Sequence, residues 1–105
     1  MAKYEVIIRL HWYQGLGYRD AEGRWRKNED GTFGEGDEYC RVIVEADSEW
    51  DAQHAAITPA ADHYRGIFEE AYCGSDTREV GAPKLAPDTA IVGTVTELGP
   101  QAPFI

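Results

Sequence analysis

Three histidines (His11, His54, His63) and two cysteines (Cys40, Cys73) are the residues of this 105-residue chain best suited to nucleophilic or metal chemistry. A thiolate paired with an imidazole attacks carbonyl carbon, and four nitrogen or sulfur donors close a tetrahedral zinc site. Zinc ligands usually come in local pairs a few residues apart, and no two of these five side chains are so spaced. His54 and His63 are nine residues apart, which on a helix puts them on roughly opposite sides. Cys40 alternates with Val42 and Val44, and Cys73 follows a helical pattern, so both thiols read as reduced core residues. A Cys–His pair meeting only in space is left open by spacing. Glu69 and Glu70 are adjacent and point about 100° apart on a helix, so they do not form a proton-sharing dyad.

Two loops come near to known ligand-binding patterns and miss. Gly15-Leu16-Gly17 follows a strand pattern, but Asp20 stands where a dinucleotide fingerprint needs Gly or Ala, and a carboxylate there would face the pyrophosphate. Asn28, Asp30, Gly31 and Asp37 match positions of a calcium loop, yet Arg26 occupies the first ligand position and Asp replaces the closing bidentate Glu. No catalytic residue, metal ligand or cofactor is assigned on these grounds, and the expectation is a protein without catalysis.

The elements that would position any site can be read from periodicity. Tyr4, Val6, Ile8, Leu10 and Trp12 alternate with Glu5, Ile7, Arg9 and His11, which predicts a strand with one face in the core. The Gly-rich stretch 13 to 37 predicts hairpins and loops, with short strands around Arg24 to Lys27 and near Tyr18. Glu38 to Ala46 reads as an inner strand, because Cys40, Val42 and Val44 make one apolar face and Tyr39 and Ile43 make the other partly apolar. Ser48 with Asp51 three residues on predicts a helix start, and Thr58-Pro59 repeats that signal, giving one kinked helix or a helix pair. Ala61, Tyr64, Phe68, Ala71 and Tyr72 form the stripe expected to face the sheet, and Gly74 is a natural stop. Gly74 to Asp88 shows no period and is expected to be an irregular segment, functional or mobile. Thr89 to Leu98, rich in β-branched residues, predicts the last strand, with Gly93 as a bulge or close-approach point. The predicted fold class is α+β: a mainly antiparallel sheet of three to four strands with the helix or helix pair on one face, over residues 1–98 as a single domain, and 99–105 as a tail.

Composition bounds the function. A 43% apolar fraction with 3 Trp, 6 Tyr and 3 Phe is enough for a packed core. The net charge of −9 opposes direct binding to nucleic acid or anionic lipid. No secretory leader or apolar span is visible, and together with the unpaired cysteines this predicts a cytoplasmic protein with no membrane contact. The charge is uneven: residues 28–51 hold nine acids and one base, whereas residues 1–27 carry six bases and three acids.

Asp47, Glu49 and Asp51 of that acidic block lie at the helix start, where a carboxylate is favourable by about 0.3–1 kcal/mol. Glu29, Asp30, Glu35, Asp37 and Glu38 have no such structural reason, and they are expected to form an exposed cluster, extended by Glu45, that faces a cationic partner. Tyr18 and Trp25 beside Arg19, Arg24 and Arg26 supply the ring types enriched at binding hot spots. The expected function is therefore a small acidic protein-binding module, monomeric or homodimeric. Its surface, Glu29, Asp30, Glu35, Asp37, Glu38, Glu45, Trp25 and Tyr18, would dock on a basic surface of a larger protein, with no direct contact to nucleic acid. One form of this is a nucleic-acid-mimicking inhibitor of the phage or mobile-element anti-defence type. The alternatives are a small ligand-binding or enzymatic α+β domain and a homodimeric structural subunit.

Overall fold

The computed structural model describes residues 1–12, 18–19, 25–26, 36–67 and 75–99, with side chains described over 1–10, 38–64 and 81–99. Its elements run β1 (Ala2–Trp12), β2 (Tyr18–Arg19), β3 (Trp25–Arg26), β4 (Gly36–Ala46), α1 (Glu49–Ile67), β5 (Ser75–Val80), β6 (Lys84–Leu85) and β7 (Val95–Gly99). The main sheet is antiparallel in the order β5-β1-β4-β7, and β6 also pairs with β1. One helix packs against it, so the α+β class expected from the sequence is the observed one.

The two 11-residue strands β1 and β4 pair in one unbroken register, from Ala2 opposite Ala46 to Trp12 opposite Gly36. Side chains alternate across a strand, so this register fixes which face each residue serves. Tyr4, Val6, Ile8 and Leu10 meet Cys40, Val42, Val44 and Ala46 on the helix side, all buried. β4 is an inner strand, and its other face is apolar enough to bury Tyr39 and Ile43 as well.

The helix begins as its sequence dictates. The Asp51 N–H donates to Ser48 Oγ at 3.1 Å, satisfying one of the donors that a helix start leaves open. Ala52, Ala56, Ala60 and Tyr64, each four residues after the last, are fully buried against the sheet. Three alanines, each with a side chain of one carbon, and the larger Tyr64 fill the space between helix and sheet. Pro59 lies inside a single helix, so neither the helix pair nor a new start at Thr58 is observed. Pro59 forfeits one helical hydrogen bond, and burial of Ala56, Ala60 and Tyr64 on either side carries the helix through. Phe68, Ala71, Tyr72, Cys73 and Gly74 lie outside the described residues.

Two expectations for the C-terminal third are corrected. The stretch from Gly74 to Asp88 is not irregular throughout: Ser75–Val80 and Lys84–Leu85 are strands on the free edge of β1. Their polar sequence hides them, as suits an edge that must not recruit other chains. The last strand is shorter than expected, because residues 89–94 turn before β7 begins at Val95. The Thr94 N–H donates to the Ile91 carbonyl at 3.2 Å, with Gly93 at φ +92°, the glycine position of a type II turn. Ile43 then bonds to two residues at once: its carbonyl accepts from Gly93 N–H at 2.8 Å and its N–H donates to the Thr94 carbonyl at 3.1 Å. Two residues facing one is the arrangement of a bulge, in agreement with the expectation for Gly93.

The segment between β6 and β7 links the β1 edge of the sheet to its β4 edge. Lys3, on the face away from the helix, ties it down by donating from Nζ to the carbonyls of Asp88 at 2.7 Å and Ala90 at 2.9 Å.

Candidate functional site

Exposed acids gather where β4 turns into α1. Glu45, Asp47, Glu49 and Asp51 are all exposed within seven residues, and Trp50 among them is 65% exposed. The helix sets this geometry. With Ala52, Ala56, Ala60 and Tyr64 committed to the sheet, Trp50 falls about 200° around the helix from Ala52 and points to solvent. His54 one turn later steadies it: the two rings lie 3.9 Å apart at a 36° tilt, and His54 Nδ1 is 2.9 Å from the Trp50 carbonyl oxygen. The corner thus offers a held, flat, apolar surface between carboxylates, a combination suited to cationic side chains.

The residues expected to form the partner surface do not all stay together. Glu45 is exposed, as expected. Glu38 is fully buried, which corrects its place in an exposed acidic cluster. It shares the parity of Cys40 and Val42, so it enters the core beneath the helix while Glu45 stands on the opposite face, about 23 Å along the strand. Glu38 Oε1 accepts the Gly99 N–H at 3.1 Å and lies 3.4 Å from the Tyr64 hydroxyl, which also approaches the Tyr39 carbonyl at 3.4 Å. These contacts join β4, α1 and β7 around one carboxylate.

Asp37 pairs with His11 in the β1–β4 ladder, and Tyr18 and Trp25 belong to the short hairpin β2–β3, with Tyr18 opposite Arg26 and Arg19 opposite Trp25. Only their backbone is described. Glu29, Asp30 and Glu35 lie outside the described residues, as do the Gly15–Gly17 loop and all of the calcium-like loop except Arg26, Gly36 and Asp37.

The residues weighed for catalysis fall into separate settings. Burial, with Glu38 and Glu97 adding repulsion, pushes the Cys40 thiol up to about 12, so it stays protonated at neutral pH and is a poor nucleophile. His63 Nε2 lies 3.0 Å from Glu97 Oε1, tying α1 to β7, and His54 serves Trp50. Among the described residues no three metal-binding side chains converge. Among them, too, no helix is long and apolar enough to cross a membrane.

Trp50 is the site residue that sequence reasoning passed over. Its signal was present in the helical phase, since a Trp two residues before the buried alanine stripe cannot share the stripe's face. Comparisons with protein-family models, with curated proteins and with solved structures returned no match.

Proposed function

We propose that this protein is a non-catalytic binding module whose acidic corner at the β4–α1 junction docks on the basic surface of a larger protein. The observation that supports it is the 65% exposed Trp50 held among the exposed Glu45, Asp47, Glu49 and Asp51. The carboxylates steer a cationic surface by long-range attraction, and the indole then buries apolar area at small entropic cost. A net charge of −9 in 105 residues suits a partner that ordinarily holds nucleic acid, so the protein would occupy that surface in place of a phosphate backbone, as an inhibitor of the nucleic-acid-mimicking kind.

The test follows the Trp50 indole N–H by NMR during titration with a synthetic Lys/Arg-rich peptide, at low and at physiological salt. A saturable shift that weakens with salt is expected, and Glu45→Lys with Asp47→Lys should weaken binding about tenfold. An indole signal that does not respond, or equal binding by the reversed variant, overturns the proposal.

A further inference from the structure

The ring that steadies Trp50 is itself titratable, and its hydrogen bond fixes where a proton would go. His54 Nδ1 lies 2.9 Å from the Trp50 carbonyl oxygen. A carbonyl oxygen only accepts, so Nδ1 carries the hydrogen and the lone pair of the neutral ring sits on Nε2. His54 is exposed, and a proton added at Nε2 leaves the Nδ1–H bond as it was. Protonation therefore charges the ring in place, with its centroid 3.9 Å from that of the indole.

The charges around His54 are of one sign. Asp51 stands three residues earlier on the same side of α1, and Glu49 lies in the same first turn. Glu45 and Asp47, both exposed, lead into the helix from β4. No lysine or arginine occurs from Asp47 to Tyr64. The strands pack against the side of α1 that carries Ala52, Ala56, Ala60 and Tyr64. Ala52 and Ala56, two residues to either side of His54, fall about 160–200° around the helix from it, so the imidazole faces away from the sheet.

We infer that His54 is a proton-operated gate on the acidic corner: neutral, it supports the indole and leaves the carboxylates to draw in a cationic partner; protonated, it sets a cation of its own against the indole and repels the partner's. The inference rests on the docking role proposed above and adds its regulation. Imidazole is the side chain whose charge ordinarily changes between pH 5 and 8, whereas carboxylates titrate lower and lysine and arginine higher. The protonated ring also takes up the attraction that an indole face offers to positive charge. A unit charge about 7 Å from a partner's cation in water changes affinity about threefold, so the gate weakens docking and does not abolish it.

The experiment titrates the whole protein with a synthetic Lys/Arg-rich peptide at low salt, at about pH 7.5 and about pH 5.5, following the Trp50 indole N–H and the His54 ring nitrogens by NMR. Binding should be about threefold weaker at the lower pH, and His54 should show the Nδ1-protonated tautomer at the higher one. His54→Gln, neutral throughout, should bind equally at both pH values. His54→Lys, a cation throughout, should bind at both as weakly as the wild type does at the lower. His63→Gln should keep the wild-type dependence. Reciprocally, bound peptide should hold His54 neutral to lower pH. Failure to bind at either pH overturns the docking role and the gate with it. Equal wild-type binding at both pH values, a dependence that survives His54→Gln, or an Nε2-protonated neutral ring overturns the gate alone.

Discussion

The Glu38 carboxylate accepts the Gly99 N–H at 3.1 Å across 61 residues of sequence, joining an inner strand to the end of the last one. Glu38 is fully buried, so the bond has no water to replace it. Glu38→Ala should destabilise the fold by about 1–3 kcal/mol, because it removes the acceptor of the part-buried Gly99 N–H and opens a cavity beside the buried Tyr64 hydroxyl. Glu38→Gln keeps an acceptor for Gly99 and should cost less. Urea unfolding of the three proteins checks the order, and equal stability of Ala and Gln variants would contradict it.

Cys40 gives a pH dependence with a definite sign. Its thiol is raised from 9.0 to about 12 in the folded protein, so above pH 9 the unfolded chain loses a proton that the native state retains. Stability contributed by the protonated thiol is therefore whole below about pH 9 and falls between pH 9 and 12, by up to about 1.4 kcal/mol per pH unit. Lysines and tyrosines titrate in the same range, so the measurement is the difference between wild type and Cys40→Ala. The alkaline slope should be shallower in the variant, and parallel curves would show that Cys40 ionises normally.

Lys3 holds the segment that leads into β7. Replacing it with Met keeps most of the stem and removes both bonds from Nζ, to the Asp88 and Ala90 carbonyls. These are bonds from a charged donor but partly exposed, so a loss near the lower end of about 1.5–3 kcal/mol is expected. The effect should be local: the Ala90 and Gly93 amides, bonded to Pro87 and Ile43, should exchange with solvent faster while the β1–β4 amides keep their relative protection. Unchanged exchange at Ala90 would remove Lys3 from this role.

The central frame of the fold was legible because its physics is local. β1 alternates between partly exposed and buried side chains from Lys3 to Leu10, and Ser48 caps α1 where its spacing to Asp51 said it would. Glu38 was legible in principle: the parity of Cys40, Val42 and Val44 extends to it, but its charge argued for solvent, and its partners Gly99 and Tyr64 are distant in sequence. β5 was not legible, since Ser-Asp-Thr-Arg-Glu-Val has little strand character of its own and pairs because the free edge of β1 accepts it. The same holds for residues 89–94, where β-branched side chains favour a strand and the bond from Gly93 to Ile43 imposes a turn. Part of the candidate site was not legible for a related reason: acids close in sequence need not be close in space, and Glu38 and Glu45 of one strand serve opposite faces.

Trp50 separates a binding role from a structural one. It is exposed and touches the sheet core nowhere in its stripe of buried residues, so Trp50→Ala should change stability by no more than about 0.5 kcal/mol. Its loss should appear in the lifetime of a complex with a basic partner, because anchors lost from an interface act mainly on dissociation. Reversal of Glu45 and Asp47 should act instead on association and on its salt dependence, since those carboxylates are exposed and steer from a distance. Stopped-flow binding to a Lys/Arg-rich peptide resolves the two rates. A Trp50→Ala protein that dissociates no faster, while Glu45→Lys/Asp47→Lys associates no slower, would leave the corner as surface without a partner.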